Sequence, residues 1–269
     1  MRRSHGKWTH RVRCSTEGIG KGDEDMNNIF KKAAVVLFVA GSVGAASAAS
    51  NDRPGTWLAV SGAGYLDSNK TVKVFFRQEE RFSSKALAES HSQASVTFKL
   101  ADWFSLAPRV QEIYARNDSL DGRGKANKNG HVGHGWDREF RVGADATFSY
   151  DLYGWKLSDR NRFVYRVWED DEGAWRYRNQ IRVAAPWKWT DYKINPYASF
   201  EIFLDDGKPA KHTRKNDKFD VTWTTVGFKA ALTKKTNLDL FYRLVDKKDT
   251  GKHDWTPSHE IGVYLDFVF

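Results

Sequence analysis

The strongest constraint in this sequence is the strict alternation of its last nine residues. From Ile261 to Phe269 every odd position is apolar, and Gly262, Tyr264 and Asp266 stand between them. Successive side chains of a β-strand point to opposite faces, so this period places one face of a strand against an apolar environment. The same period recurs along most of the chain, which predicts an all-β protein.

The chain from Trp57 onward divides into eleven strand candidates of about 10–14 residues, near the length that a tilted transmembrane strand needs. They run over 57–66, 71–82, 92–101, 103–115, 137–150, 158–168, 174–185, 194–204, 219–232, 236–246 and 259–269. Single-chain bacterial barrels have an even number of strands as a rule. We therefore expect an antiparallel transmembrane β-barrel of about 10–12 strands, with either ten strands and 57–66 outside the barrel, or twelve.

Connections between these candidates alternate in length. Short ones lie at 101–102, 151–154 and 233–236, and long polar ones at 117–135, 205–218 and 247–258. Short turns at one rim and long loops at the other are typical of outer-membrane barrels. A soluble β-sandwich also alternates apolar and polar residues, so the period alone does not separate the two classes.

The amino-terminal region has the pattern of a cleavable secretory signal peptide over residues 26–48. Two lysines precede an apolar run at 33–45 and a small-residue site that ends at Ala48. Residues 1–25 precede this signal and are interpreted as an extension from a start codon assigned too early; an unusually long basic segment is the alternative. The predicted barrel domain is then 49–269, and the predicted location is the bacterial outer membrane.

Removal of the signal changes the charge of the protein. Residues 1–48 hold eight of the 43 Lys and Arg and four of the 34 Asp and Glu, so the net charge falls from +9 to +5. This modest net charge and the predicted secretion of the protein both argue against a nucleic-acid partner. The only cysteine, Cys14, lies in the removed part, which excludes disulfides and thiolate sites from the mature chain. We expect no cofactor or metal.

Several segments resemble a bacterial family of outer-membrane proteins described only as a domain of unknown function. They are 157–171 (LSDRNRFVYRVWEDD), 175–182 (WRYRNQIR), 195–201 (NPYASFE), 237–244 (NLDLFYRL) and 259–267 (HEIGVYLDF). The resemblance implies an outer-membrane barrel and brings no activity. The terminal Phe269 resembles the signal that barrel-assembly machinery reads. In size and arginine-lined strands the chain also resembles the small oligogalacturonate-type porins.

Alternation also predicts which side chains meet lipid and which face the lumen. Phe148, Tyr165, Leu240 and Leu265 should point outward. The inward faces should carry Arg77, Arg81, Lys99, Arg109, Arg141, Arg162, Arg166, Arg176, Arg178, Arg182, Lys229 and Arg243, together with Glu79, Glu139, Asp145, Glu201, Asp239, Glu260 and Asp266.

Two functions follow from this lumen. A guanidinium group binds carboxylates and phosphates bidentately, so excess arginine would make a passive channel that favours small acidic solutes or oligosaccharides. The candidate anion-binding residues are Arg77, Arg141, Arg162, Arg166, Arg176, Arg178, Arg182, Arg243, Glu139 and Glu201. Alternatively, the charges pair with one another and close the barrel, because small barrels commonly have lumens filled by side chains. The barrel would then be a non-conducting structural or binding protein.

A third, weaker interpretation is an outer-membrane lipid hydrolase. Ser258, His259 and Glu260 are residue types that hydrolases use. Adjacent residues of a strand point to opposite faces, so these three cannot form a catalytic triad together. The sequence therefore favours a protein that is not an enzyme.

Overall fold

The computed structural model describes residues 55–83, 87–116, 136–168, 171–187, 192–206, 219–248 and 255–269. The predicted signal peptide and upstream extension lie outside these residues, as does the long polar segment 117–135. In the described part of the chain, no helix is long and apolar enough to cross a membrane. The strands are β1 (Gly55–Tyr65), β2 (Val72–Phe82), β3 (Leu87–Ala101), β4 (Phe104–Arg116), β5 (Trp136–Leu152), β6 (Trp155–Trp168), β7 (Asp171–Ala184), β8 (Asn195–Asp205), β9 (Phe219–Ala231), β10 (Thr236–Lys248) and β11 (Trp255–Val268).

These eleven strands form one closed barrel, which confirms the all-β barrel prediction. Consecutive strands pair antiparallel, and β1 closes the barrel by pairing parallel with β11. The number lies within the predicted 10–12, but the expected even count, either ten with 57–66 outside the barrel or twelve, is wrong. When consecutive strands are antiparallel, an odd number of strands leaves the first and the last running in the same direction. Such a barrel can close only if these two strands pair parallel. Across the seam the Ser61 hydroxyl donates to Asp266 Oδ1 at 2.5 Å.

The two rims of the barrel differ. At one rim, called the turn rim, strands are joined through 66–71, 102–103, 153–154, 185–194 and 232–235. At the other, called the loop rim, they are joined through 83–86, 117–135, 169–170, 206–218 and 249–254.

The β5–β6 connection is a two-residue turn, Tyr153 and Gly154, and both have positive φ (52° and 81°). Two positive φ values give the hairpin turn that matches the right-handed twist of strands, and glycine adopts one of them without steric cost.

The β1–β2 turn is held by one carboxylate. Asp67 accepts hydrogen bonds from the backbone N–H groups of Thr71 and Val72 at 2.7–3.0 Å, and from the Thr71 hydroxyl at 2.7 Å. The Val72 N–H, followed by the Thr71 hydroxyl, holds the pKa of this carboxyl below its ordinary value of 3.8. These bonds stabilise the charged form, so their contribution to the turn is present at neutral pH and is lost when acid protonates Asp67.

The inside of the barrel wall is charged, and the outside carries many large exposed apolar side chains together with polar clusters such as Glu80 with Ser90 and Asn161 with Asn179. Phe76, Phe163 and Val226 lie on the outer face and expose 54%, 55% and 52% of their surface. Their strand neighbours Arg77, Arg162 and Thr225 line the interior. The predicted outward positions follow the same alternation, although Leu265 is only 4% exposed.

Two strand boundaries differ from prediction in ways that matter for the interior. β3 begins at Leu87 rather than 92, and β8 continues through Asp205, which the pattern placed in a loop. The early part of β3 carries inward Glu89 and His91 but no large outward apolar residue beside them, so it lacks a visible alternation. Asp205 was missed because a carboxylate after an apolar run has the pattern of a loop start.

Close contact of β5 and β6 depends on one glycine. A Cβ at Gly143 would lie 2.1 Å from the carbonyl oxygen of Phe163 and 3.0 Å from the Cα of Val164, and neither backbone atom can rotate away. We expect Gly143→Ala to lower the free energy of unfolding by about 1–3 kcal/mol. Urea unfolding of the refolded barrel measures the effect. Gly64→Ala is the control, because a Cβ there meets nothing within 4 Å. An equal shift in both variants would contradict the tight approach.

Candidate functional site

The barrel encloses a cavity of about 490 Å³ whose charged lining is strongly cationic. Four acidic residues line it: Glu79, Asp145, Glu201 and Asp239. Ten basic residues line it: Lys73, Arg77, Arg109, Arg141, Arg160, Arg162, Arg178, Arg182, Lys229 and Arg243. They come from β2, β4, β5, β6, β7, β9 and β10, since alternate residues of each strand point inward.

A layer of paired charges lies in the interior near the loop rim on the β5–β8 side. Glu139 accepts hydrogen bonds from Arg141 (2.6 and 2.9 Å) and from Arg166 (2.5 and 3.2 Å). Arg176 donates to both oxygens of Asp205 at 2.5 and 2.6 Å. An Nη1 atom of Arg166 lies 4.0 Å from Asp205, which links the two groups. Bidentate pairs of this kind fix the side chains as well as their charges.

The layer continues on the β1–β3 and β10–β11 side. Arg81 donates to Glu89 at 2.8 Å and to Glu260 at 2.7 Å. Glu260 is 2% exposed and lies 3.5 Å from Arg243 Nη1. His91 lies between Glu89 and Glu79, with ring nitrogens 2.9 and 3.4 Å from their carboxylates. We call these residues and those of the preceding paragraph the loop-rim network.

Aromatic rings support several of the guanidinium groups. Arg178 lies 4.3 Å from the ring centre of Phe203, and Arg243 lies 4.2 Å from that of Trp223. Arg182 lies 3.6 Å from the ring centre of Tyr197. A cation over an aromatic face is stabilised by the ring quadrupole, more so when it is desolvated. The rings therefore hold these arginines in place without neutralising their charge.

Below the loop-rim network, the cavity contains more cations than its carboxylates can pair. Arg162 occupies both oxygens of Asp145 at 2.7 Å. Asp239 accepts from the Tyr197 hydroxyl at 2.7 Å and lies 3.4 Å from Lys229. Among the described residues, neither Lys73 nor Arg182 has a carboxylate within ion-pair distance. The turn-rim half of the lumen therefore carries unbalanced positive charge.

The structure divides the sequence-predicted candidates between these two regions. Arg77, Arg162, Arg178, Arg182 and Glu201 line the cavity. Arg141 and Arg243 also line it and belong to the loop-rim network as well. Arg166, Arg176 and Glu139 face inward but belong to the loop-rim network. Arg162 and Arg178 are register partners, so β6 and β7 bring arginines of the two strands together. Lys99 pairs with Asp102 at the turn rim, at 2.5 Å, and does not line the cavity.

Sequence reasoning missed several interior residues. Asp205, Glu89 and His91 were outside the predicted strands. Arg160 and Lys73 were left out of the candidates although they share faces with Arg162 and Arg77. The spacing of Arg160 and Arg162 was the available signal, since residues two apart on a strand share a face. No comparable signal marks Asp205, whose role depends on its register with Arg176.

The hydrolase residue types are separated as the alternation requires. Glu260 points inward and is held by Arg81. The Ser258 hydroxyl contacts the Val245 carbonyl oxygen at 3.4 Å, and His259 Nδ1 contacts the Tyr242 hydroxyl on the outer face. These three groups do not converge on one site.

Comparison with known proteins identifies a family of unknown function. No curated protein matches the chain. The model of a protein family of unknown function, DUF2490, matches residues 54–256, which span β1 to the first residues of β11. The match covers most of the chain and nearly the whole of the closed barrel. The chain therefore belongs to the DUF2490 family.

Proposed function

We propose that this protein is an outer-membrane β-barrel whose cation-rich lumen acts as a passive channel for small acidic solutes. The observation that carries the proposal is the cavity with ten basic and four acidic lining residues inside a wall whose outer face exposes many large apolar side chains. Excess guanidinium and ammonium groups in a confined lumen attract anions and repel cations.

The outer surface supports a membrane location. Large apolar residues are exposed on most strands, and a lipid environment would bury them without desolvating any backbone group, because every strand of a closed barrel is paired. The predicted signal peptide gives the route across the inner membrane. Phe269 is 78% exposed and would be available to assembly machinery. The proposed partners are membrane lipid, that machinery and acidic solutes.

The loop-rim network supports a second candidate, a non-conducting binding barrel. Glu139, Asp205 and Glu260 bind five arginines across the lumen between them and leave the cavity on the turn-rim side. A network with this pairing would close one end of the lumen to solutes. The two candidates share the cationic cavity and differ only in whether solute crosses the barrel.

Electrical recordings separate the two candidates. We expect refolded protein in a planar bilayer to conduct, with a reversal potential in a salt gradient that indicates anion preference. Lys73→Gln with Arg182→Gln should move the reversal potential towards zero, because these cations have no described carboxylate partner whose charge would be left behind. Arg138→Gln, on the outer face and paired with Glu112, is the control and should leave it unchanged. Absence of conductance in the wild-type protein would exclude the channel and leave the binding barrel.

A further inference from the structure

Four arginines of the cavity surround only two carboxylates. Arg162 donates from Nε and Nη2 to the two oxygens of Asp145, both at 2.7 Å. Arg178 donates from Nε to Glu201 at 2.9 Å. These two pairs account for both negative charges, and the remaining arginines, Arg109 and Arg160, lie beside them on β4 and β6.

Arg109 is a buried cation whose nearest carboxylate is already bound more closely by another arginine. It is 5% exposed, and its Nη2 donates to two neutral groups, the side-chain oxygens of Gln93 (2.6 Å) and Gln111 (3.0 Å). Its Nη1 is buried, has no hydrogen-bond partner, and lies 3.9 Å from an oxygen of Asp145 that Arg162 already occupies. A buried charge with only a distant, shared counter-charge is costly, so this position favours a further anion.

Arg160 adds a second incompletely satisfied guanidinium. Its Nη2 lies 3.4 Å from Glu201, which Arg178 already binds at a shorter distance, and its Nε is buried without a hydrogen-bond partner. Like-charge repulsion acts on Arg109 from Arg160, Arg162 and Arg178. Four guanidinium groups and two carboxylates leave two positive charges in one part of the cavity.

We propose that Arg109, Arg160, Arg162 and Arg178 form a binding site for a compact tetrahedral dianion of the phosphate class. One group that carries both negative charges would balance this cluster better than two separate carboxylates, because the excess charge is concentrated at one place. Guanidinium groups bind phosphate oxygens with charge-assisted hydrogen bonds, and the unsatisfied Nη1 and Nε atoms are the donors that such an anion would take. The site deepens the proposed function by naming the class of acidic solute.

Calorimetric titration of the refolded mature barrel, in a zwitterionic detergent at low salt, tests this site without a membrane. We expect saturable binding of inorganic phosphate, similar binding of sulfate, and weaker binding of nitrate, which carries a single charge. Arg109→Gln and Arg160→Gln should each weaken phosphate binding by about tenfold, and the double variant should lose saturable binding. Arg138→Gln, which removes the same charge from the outer face, should bind as the wild type does.

Folding of each variant is checked by the heat-dependent gel mobility of the intact barrel. Wild-type protein that shows no saturable phosphate binding, or a folded double variant that binds phosphate unchanged, would overturn the site. Because binding is measured in detergent, its outcome is independent of conductance. Phosphate binding without conductance would support the binding site and exclude the channel. Conductance without phosphate binding would support the channel and exclude the binding site.

Discussion

Replacement of Glu139 by glutamine should lower the free energy of unfolding of the barrel by about 3–5 kcal/mol. Glu139 is 8% exposed and binds both Arg141 and Arg166, so its neutral replacement leaves two guanidinium groups beside a neutral side chain. Removal of one partner from a buried charge network costs more than the network contributes, because the charges that remain stay desolvated. The midpoint of urea unfolding, followed by tryptophan fluorescence, measures the loss.

Glu112→Gln is the matched control for this change. Glu112 also accepts a hydrogen bond from an arginine at 2.6 Å, from Arg138, but this pair lies on the outer face and is solvent-accessible. Exposed ion pairs contribute little to stability. Similar losses in the two variants would show that the loop-rim network is not buried as described. A loss confined to Glu139→Gln, accompanied by increased conductance, would show in addition that the network obstructs the lumen.

Leu240→Arg should lower the stability of the lipid-embedded barrel by about 2–4 kcal/mol. Leu240 lies near the middle of β10, on the face opposite Asp239 and Phe241, which line the cavity. An arginine at this position would meet hydrocarbon if the barrel spans a membrane. On the surface of a water-soluble barrel the same substitution would have little effect. Unfolding in phospholipid vesicles, followed by gel mobility, measures the difference.

Leu152→Arg is the control for the depth of the substituted residue in the membrane. Leu152 lies on the same outer face at the end of β5, next to the turn rim, and is 61% exposed. An arginine near the membrane interface costs only about 0–1 kcal/mol. Equal and small effects at Leu240 and Leu152 would argue against a membrane-spanning wall, whereas a graded loss would support it.

The division of the wall into two faces was predictable because long strands carry it uniformly. In β5 and β6 the inward positions hold residues such as Arg141 and Arg162, and the outward positions hold Phe140 and Phe163, so period two is evident without tertiary information. The start of β3 lacked this signal, because its inward Glu89 has the polarity of a loop. Its charge is stabilised by Arg81, which is on another strand.

Strand pairing and ion pairing were harder to predict because both depend on register between strands. Asp145 binds Arg162 because the two residues are direct partners across β5 and β6, and Arg176 binds Asp205 for the same reason across β7 and β8. A register shift of one residue would turn one partner of each pair outward. The pattern gave eleven strand candidates, as found, but the expectation of an even number was wrong for a related reason. Nothing in the sequence of β1 itself indicates that this strand pairs with the last strand or that the two run parallel.

The parallel seam also has a consequence for how the chain folds. Every other pair of neighbouring strands is consecutive in sequence and can form as a hairpin, but the Ser61–Asp266 contact joins residues 205 positions apart. The entropy of loop closure rises only slowly with length, so the seam affects the folding rate more than the final stability. The seam cannot form until β11 has been made, and ten hairpin pairings can precede it. Barrel closure is therefore a single late event, and until it occurs β1 and β11 each present an unpaired edge to other chains.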